Sequence, residues 1–422
     1  MTGPAVATPV WYPLPTAEQA ADDVTAAFVS EYGHPPDGVW AAPGRVNVIG
    51  EHVDYNAGLC LPFALPQRTF VALSARDDDT VRVRSLQVTD GSGPGRDTGR
   101  AAQSRWQGRL AEVAPGNVRG WAGYAVGVPW ALGQAGLVVP GFDAVLDGYV
   151  PLGAGLSSSA ALECAVAVAL DDVAGLGLGA DDGGRVRLAA ACVRAENEMA
   201  GAPTGGLDQA SSLRCLPGAA LLLDCRDFSV EQVPLDLAAV GLQLLVMDTR
   251  AHHALVDGQY GDRRAGCEQA CRELDVRSLR EVDPDRLEDA LVRLDRVEGG
   301  RLRPLVRHVV TEIARVEATV ALLRADRVPE IGPLLDDSHA SLRDDYRVSC
   351  PELDLACSTA VAAGALGARM VGGGFGGSAI ALLEADRVDG AAGAVADAFE
   401  ASGFEPPAFL RAVPSAGAGR VA

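Results

Sequence analysis

A chain of 422 residues, 48% hydrophobic and 22% charged, has the composition of an ordinary soluble globular protein and is long enough to build two cores. Its formal charge of -20 excludes nucleic acid and an anionic membrane as partners, because both require a basic face. No lysine occurs and every basic side chain except histidine is arginine, which excludes a Walker-type ATPase, a protein kinase and a pyridoxal enzyme.

The nine cysteines are scattered, with no Cys-x-x-Cys pair; Cys267 and Cys271 sit one helical turn apart and read as helix packing. Met1 to Pro15 has neither the basic nor the apolar region of a signal peptide. The longest apolar run, Ala160 to Leu170, is interrupted by Glu163 and too short for a bilayer. A reducing, cytoplasmic setting is expected.

Helical spacing over Thr16 to Tyr32 places Ala20, Val24, Ala27 and Phe28 on one face. Val39 to Ile49 reads as a strand broken at Pro43-Gly44. Thr69–Ala75 and Thr80–Leu86, joined by the acidic turn Arg76–Asp79, read as a hairpin, and Thr89 to Asn117 as a Gly-, Ser- and Arg-rich loop. A helix over Trp121–Leu132 and a strand over Phe142–Val150 follow, then helices over Ser157–Leu170 and Gly184–Met199. Ala219–Cys225, Ser229–Leu235 and Gln243–Asp248 read as strands; helices fill Tyr260 to Asp326 and recur at Val328–Tyr346 and Glu352–Leu366. A Gly-rich turn, the strand Ser378–Leu383, a helix over Asp386–Ala401 and a strand near Ala408 close the chain. Without a regular βαβ alternation, the order points to an α+β protein of two domains, each a mixed or antiparallel sheet layered with helices, rather than to a Rossmann sheet. The boundary is placed at 212/213.

Four segments carry chemistry. In Pro151–Ala160, Pro-Leu-Gly-Ala-Gly-Leu-Ser-Ser-Ser-Ala, the glycines let backbone N–H groups at a helix start approach an anion closely, and the serines can cap, donate to phosphate or reach a metal. An ordinary Gly-rich turn with a serine cap is the alternative. Gly44–Asn56 packs Arg45, Glu51, His52 and Asp54 together, the donors and acceptors a polyol site needs; a metal site and a satisfied structural loop stay open. Gly205-Gly206-Leu207-Asp208 puts a carboxylate after a flexible glycine pair, where it either caps a helix or meets a ligand. Gly372–Gly377, five glycines in six residues, suits backbone passing tightly beside a neighbour. His252-His253 is given no role.

In order and spacing these segments resemble the small-molecule kinases named for galactokinase, homoserine kinase, mevalonate kinase and phosphomevalonate kinase, over nearly the whole chain from Trp40 to Leu383. Glu-His-x-Asp-Tyr at Glu51–Tyr55 is the mark of the galactokinase branch. The resemblance implies an active site in the cleft between two domains and phosphorylation of α-D-galactose at its C1 hydroxyl, using ATP and Mg²⁺. By position it implies that Glu51, His52, Val53, Asp54, Gly205 and Tyr260 contact the sugar. Gly153, Ala154, Gly155, Leu156, Ser157, Ser158 and Ser159 would wrap the ATP phosphates, Ser159 and Glu196 would hold Mg²⁺, and Ser85, Trp121 and Tyr124 would meet the nucleotide. Asp208 would accept the proton of the anomeric hydroxyl, and Arg45 would orient it and stabilise developing charge.

Departures from the family pattern are Val53 for Thr, Ala57 for Gly, Leu207 for Met, Asn197 for His and Ser378 for Cys; none removes a group assigned above. The competing readings are a kinase for N-acetylgalactosamine or L-arabinose, and a non-catalytic galactose- and ATP-binding regulator. The partners expected are galactose and ATP, with neither nucleic acid nor membrane, and a monomer.

Overall fold

The computed structural model describes residues 8–87, 104–202, 204–251 and 256–422. The first part of the chain runs β1 (Val10–Trp11), α1 (Ala17–Tyr32), β2 (Gly38–Asn47), β3 (Leu59–Cys60), β4 (Pro62–Ala75), β5 (Thr80–Ser85) and β6 (Arg105–Arg109). Next come α2 (Ala122–Gln134), β7 (Phe142–Gly148), α3 (Ser158–Val173), α4 (Asp182–Arg194) and α5 (Leu207–Arg214). These are followed by β8 (Ala219–Asp224), β9 (Ser229–Pro234), β10 (Leu242–Asp248), α6 (Val256–Leu274), α7 (Leu287–Leu294) and α8 (Arg303–Arg324). The last elements are α9 (Gly332–Ser341), α10 (Pro351–Ala362), β11 (Gly367–Val371), β12 (Ser378–Glu384), α11 (Val388–Ser402), β13 (Ala408–Ala412) and β14 (Gly419–Arg420).

Among the described residues three sheets form: six strands in the order β14-β2-β4-β7-β5-β6, five in the order β1-β13-β10-β12-β11, and the antiparallel trio β3-β8-β9. The two larger sheets are mixed, with β5 parallel to β7 and β1 parallel to β13. Period-two alternation on β2 divides the amino-terminal core. Val39 and Ala41 point to α1, where Ala20, Val24 and Phe28 cover them, while Trp40 and Ala42 point to the opposite core of α2, α3 and α4. Thr16 and Gln19 cap α1 reciprocally, so its start needs no tertiary help.

Several expectations change. The strands on either side of Arg76–Asp79 do not form a hairpin, because β7 lies between them, antiparallel to β4 and parallel to β5. The buried carboxylate of Asp143 on β7 draws them apart: it is paired with Arg76 at 3.1 Å and with Arg82. The turn closes over Gly141, where a Cβ would lie 2.4 Å from the carbonyl oxygens of Asp78 and Thr80. Within the expected loop 89–117, residues 105–109 form the edge strand β6; positions 89–103 and the His252-His253 pair lie outside the described residues. The helix expected to reach Met199 is α-helical only to Arg194 and then opens into a π-helical turn, Ala195–Ala200. The termini cross over: β1 joins the five-stranded sheet and β14 pairs with β2, so no single cut at 212/213 separates the two large sheets. Among the described residues no helix is long and apolar enough to cross a membrane.

Strand β2 bulges between Pro43 and Arg45, and this bulge presses the strand against the loop that leads into α3. A Cβ on Gly44 would come within 2.5 Å of the Leu156 carbonyl oxygen and 2.8 Å of Val150. Gly44→Ala is therefore expected to destabilise the fold by about 1–3 kcal/mol in urea unfolding, with activity falling alongside; an unchanged midpoint would show that the loop yields freely.

Candidate active site

The bulge on β2 aims Arg45 at both glycine-bordered loops. Its Nε and Nη2 donate to one oxygen of Asp208 at 2.9 and 2.8 Å, and its Nη1 donates to the Gly155 carbonyl at 2.5 Å. The Arg45 backbone N–H donates to Leu156 O at 3.1 Å, so one residue stitches the sheet to the loop before α3. Burial opposes the Arg45 charge, but Asp208 and Glu51 outweigh it and hold the guanidinium above its usual range.

That loop turns through Gly153 (φ +72°), Gly155 (φ +71°) and Ser157 (φ +62°) before α3 begins at Ser158. Ala154 and Leu156 bury their side chains, so only their backbone can face a ligand. Ser157 Oγ is buried without a partner, an orphan group that a phosphate oxygen would satisfy. The third glycine segment braces this loop from behind. A Cβ on Gly372 would lie 3.0 Å from Gly155 O and one on Gly377 3.2 Å from Ala154 O, while the Ser378 hydroxyl donates to Ala154 O at 2.7 Å.

Arg45, Glu51, His52, Asp54, Glu196, Thr204, Leu207, Asp208, Tyr260, Gly372 and Gly373 surround a polar cavity of about 200 Å³. Glu51 accepts from the Gly372 N–H at 2.8 Å. His52 bonds Gly373 O through Nε2 at 3.2 Å and Tyr55 OH through Nδ1 at 2.9 Å. A carbonyl only accepts, so Nε2 carries the proton and Nδ1 accepts from the phenol. Burial pushes the imidazole down to about 3, which leaves it neutral. Asp54 is pushed up to about 6, by burial and then by the charge of Asp208. Its carboxylate fits only because residue 205 is glycine, where a Cβ would stand 2.1 Å from Oδ2. Burial also raises the Tyr260 phenol; its ring packs 5.6 Å from that of His52.

Asp208 occupies the first turn of α5, behind Gly206 at φ +94°, and keeps 23% of its side chain exposed toward the cavity. Glu196, on the π-helical turn, accepts from Gln209 Nε2 at 2.5 Å and lies within hydrogen-bonding reach of Ser159. Burial and then Asp208 push Glu196 up to about 7. Gln209 also donates to Glu163 at 3.1 Å, whose fully buried carboxyl is raised well above its usual range by burial and then by Glu196.

The signature of galactokinase galactose binding matches residues 26–75, and the models of the N-terminal and C-terminal GHMP-kinase domains match residues 123–215 and 319–401. A galactokinase of Streptomyces coelicolor is 50% identical over 404 residues, which span 96% of this chain and 99% of that protein. A galactokinase of Streptomyces lividans is 48% identical, covering 89% of each. The chain belongs to the galactokinase family. The crystal structure of Lactococcus lactis galactokinase complexed with galactose superposes with a TM-score of 0.85 at 31% identity, over 94% of this chain and 98% of that one.

Within this galactokinase fold, Arg45, Glu51, His52, Asp54, Glu196, Asp208 and Tyr260 converge on one cavity, and Gly205 stands against Asp54. Val53 does not face it: the residue is wholly buried, its carbonyl accepts from Asn56 and Gly58, and that tight turn directs the side chain into the core. Ser85 is buried on β5, and Trp121 and Tyr124 stand at the start of α2; none of the three lines the sugar-side cavity. Tyr124 nevertheless senses Glu196, whose charge, after burial, raises its phenol. Sequence reasoning missed Thr204, Gln209 and Glu163. The one visible signal for Glu163 was a lone carboxylate inside an apolar run. Among the described residues no cluster of three or more histidine, cysteine, aspartate or glutamate side chains has an arrangement that could hold a metal ion.

With Asp54 titrating at about 6, lowering the pH converts it from an acceptor to a donor. The galactose KM is expected to rise as pH falls from 7 to 5, and Asp54→Asn to flatten that profile. A wild-type KM that is level across this range would remove Asp54 from the sugar contacts.

Proposed function

We propose that this chain transfers the γ-phosphoryl group of ATP to the C1 hydroxyl of α-D-galactose, giving galactose 1-phosphate and ADP. The observation that carries the reading is the double engagement of Arg45, which joins the cavity-facing carboxylate of Asp208 to the backbone of the glycine–serine loop. Phosphoryl transfer requires an alcohol and a phosphate to meet in line with their charges compensated, and this link holds the two halves of the site together.

In this reading Glu51, Asp54 and Tyr260 hold the sugar hydroxyls, and neutral His52 fixes the loop between Gly373 and Tyr55. Asp208 takes the proton from the C1 hydroxyl. Arg45 orients Asp208, and its fixed charge faces the oxygen on which negative charge grows. The N–H groups from Gly153 to Ser159, at the positive end of α3, cradle the triphosphate, and the free hydroxyl of Ser157 gains its partner there. Ser85, Trp121 and Tyr124 belong to the nucleotide side. The neighbouring hydroxyl of Ser159 and carboxylate of Glu196 are hard oxygen donors of the kind Mg²⁺ takes alongside phosphate oxygens. When bound, Mg²⁺ neutralises charge on those phosphates. We further propose a monomer working in the cytoplasm, with the domains meeting near 212/213 apart from the exchanged terminal strands.

Neither a related-sugar kinase nor a silent sensor gains a specific observation, since the Arg45–Asp208 pair is intact. Asp208→Asn is expected to retain galactose binding while losing about 10²–10⁴ in kcat. The measurements are isothermal titration with galactose and a coupled ADP assay, with the anomeric position of the wild-type product read by NMR. Full turnover in the variant would overturn the role given to Asp208, and wild-type phosphorylation away from C1 would overturn the reaction.

A further inference from the structure

The loop bearing Glu51, His52 and Asp54 is gripped from beneath by three wholly buried polar side chains of the carboxy-terminal half. Glu312, on α8, accepts from the backbone N–H of Gly50 at 2.9 Å and of Glu51 at 3.3 Å. Its other partners are the Ser338 hydroxyl at 2.8 Å and Arg315 Nε at 2.8 Å. His308, one turn earlier on the same face, bonds Glu51 O through Nε2 at 3.1 Å and the Ser341 hydroxyl through Nδ1 at 2.9 Å. Arg369, on β11, donates from Nη1 to Asn47 O at 3.1 Å and Val48 O at 2.9 Å, and its Nη2 lies 3.3 Å from the Glu51 carboxylate. Five backbone groups between Asn47 and Glu51 are thus held by side chains that reach no solvent.

The grip falls where the chain cannot settle on its own. Gly50 sits at φ +99°, and a Cβ there would lie 2.6 Å from Leu59 O. His52, two residues on, has φ +60°, a conformation that non-glycine residues adopt only when their surroundings impose it. An acceptor with two N–H groups converging on it sets both the height and the tilt of the segment that carries the sugar-facing carboxylates. Buried groups used only to tie two halves together would serve equally well anywhere along the interface; these converge on the peptide groups next to Glu51.

We infer that Glu312 is a positioning residue for galactose: with His308 and Arg369 it fixes the sugar loop so that Glu51 and Asp54 face the C1-bearing ring at working distance. The inference rests on the galactose reading above. It makes reach, not charge, the property that matters. Aspartate at 312 keeps the charge for Arg315 but is one methylene too short for Gly50; glutamine keeps the length and one acceptor oxygen for Gly50 N–H.

The test measures separate KM values for galactose and ATP, with galactose binding by titration calorimetry. Glu312→Asp is expected to raise the galactose KM and Kd about tenfold or more, with ATP KM and kcat at saturating galactose changed less than about threefold. Glu312→Gln is expected to stay within about threefold of the parent in galactose KM, the conservative variant restoring affinity that the charged one loses. Should Glu312→Asp fail to fold, His308→Phe keeps the ring beside Tyr346 and removes the donor to Glu51 O, and the same selective rise in galactose KM is expected. Both KM values rising together, or glutamine being worse than aspartate, would overturn the inference and leave the cluster a support of the fold. Failure of the parent enzyme to bind or phosphorylate galactose would overturn the underlying reading instead, whatever the variants do.

Discussion

A single guanidinium holds this site together. Arg45 is nearly buried, and its donors go to a carboxylate on one side and to a loop carbonyl on the other, while its own peptide N–H fastens the next carbonyl of the same loop. Taking a charge out of water is tolerable only with full compensation, which Asp208 supplies. The same arrangement fixes how far Asp208 stands from the start of α3. The bulge that aims Arg45, the glycine that lets the bulge approach Leu156, and the glycines behind Gly155 are all consequences of that placement.

Around Arg45 the site divides into regions of different electrostatic character. On one side, Asp54 and Glu51 lie close to Asp208, and burial, followed by the charge of Asp208, raises the first of them to about 6. On the side of α3, Glu196 and Glu163 share one amide donor, Gln209, and both carboxyls are raised, first by burial and then by Asp208 for Glu196 and by Glu196 for Glu163. Such crowding of acid groups opposes folding of the unliganded chain. It also leaves a field ready to be relieved by a cation and by the N–H groups at the start of α3. In a protein with a net charge of -20, positive potential at an anion site has to be built locally from dipoles and arginine.

The segments that were legible in the sequence share one property: their chemistry is local. Glu51, His52 and Asp54 stand within four positions of one another, and the glycines and serines of 153–159 fall within one short run, so spacing alone exposes them. Glu312, His308 and Arg369 carry no such mark. Each sits singly in an amphipathic helix or an apolar strand, where a charge reads as a surface residue until the fold buries it. Val53 differs in the opposite sense, since adjacency to cavity-lining residues says nothing about a tight turn that points one side chain inward. The hairpin failed for a related reason. Two strands joined by a short acidic turn look like neighbours, and only the buried Asp143 of a third strand, some 60 positions on, explains why they part. Ser378, a departure from the family pattern, holds the glycine–serine loop through Ala154 O.

The crossed termini bear on how such a molecule emerges from the ribosome. The outer edge of β2, the strand that carries Arg45, is covered by Gly419 and Arg420, which are translated after every other strand. Until then that edge offers unpaired peptide groups to any passing strand, so the amino-terminal sheet closes only after β13 of the other large sheet has been made. The strand that carries Arg45 thus gains its first neighbour, β4, early and its second, β14, last of all.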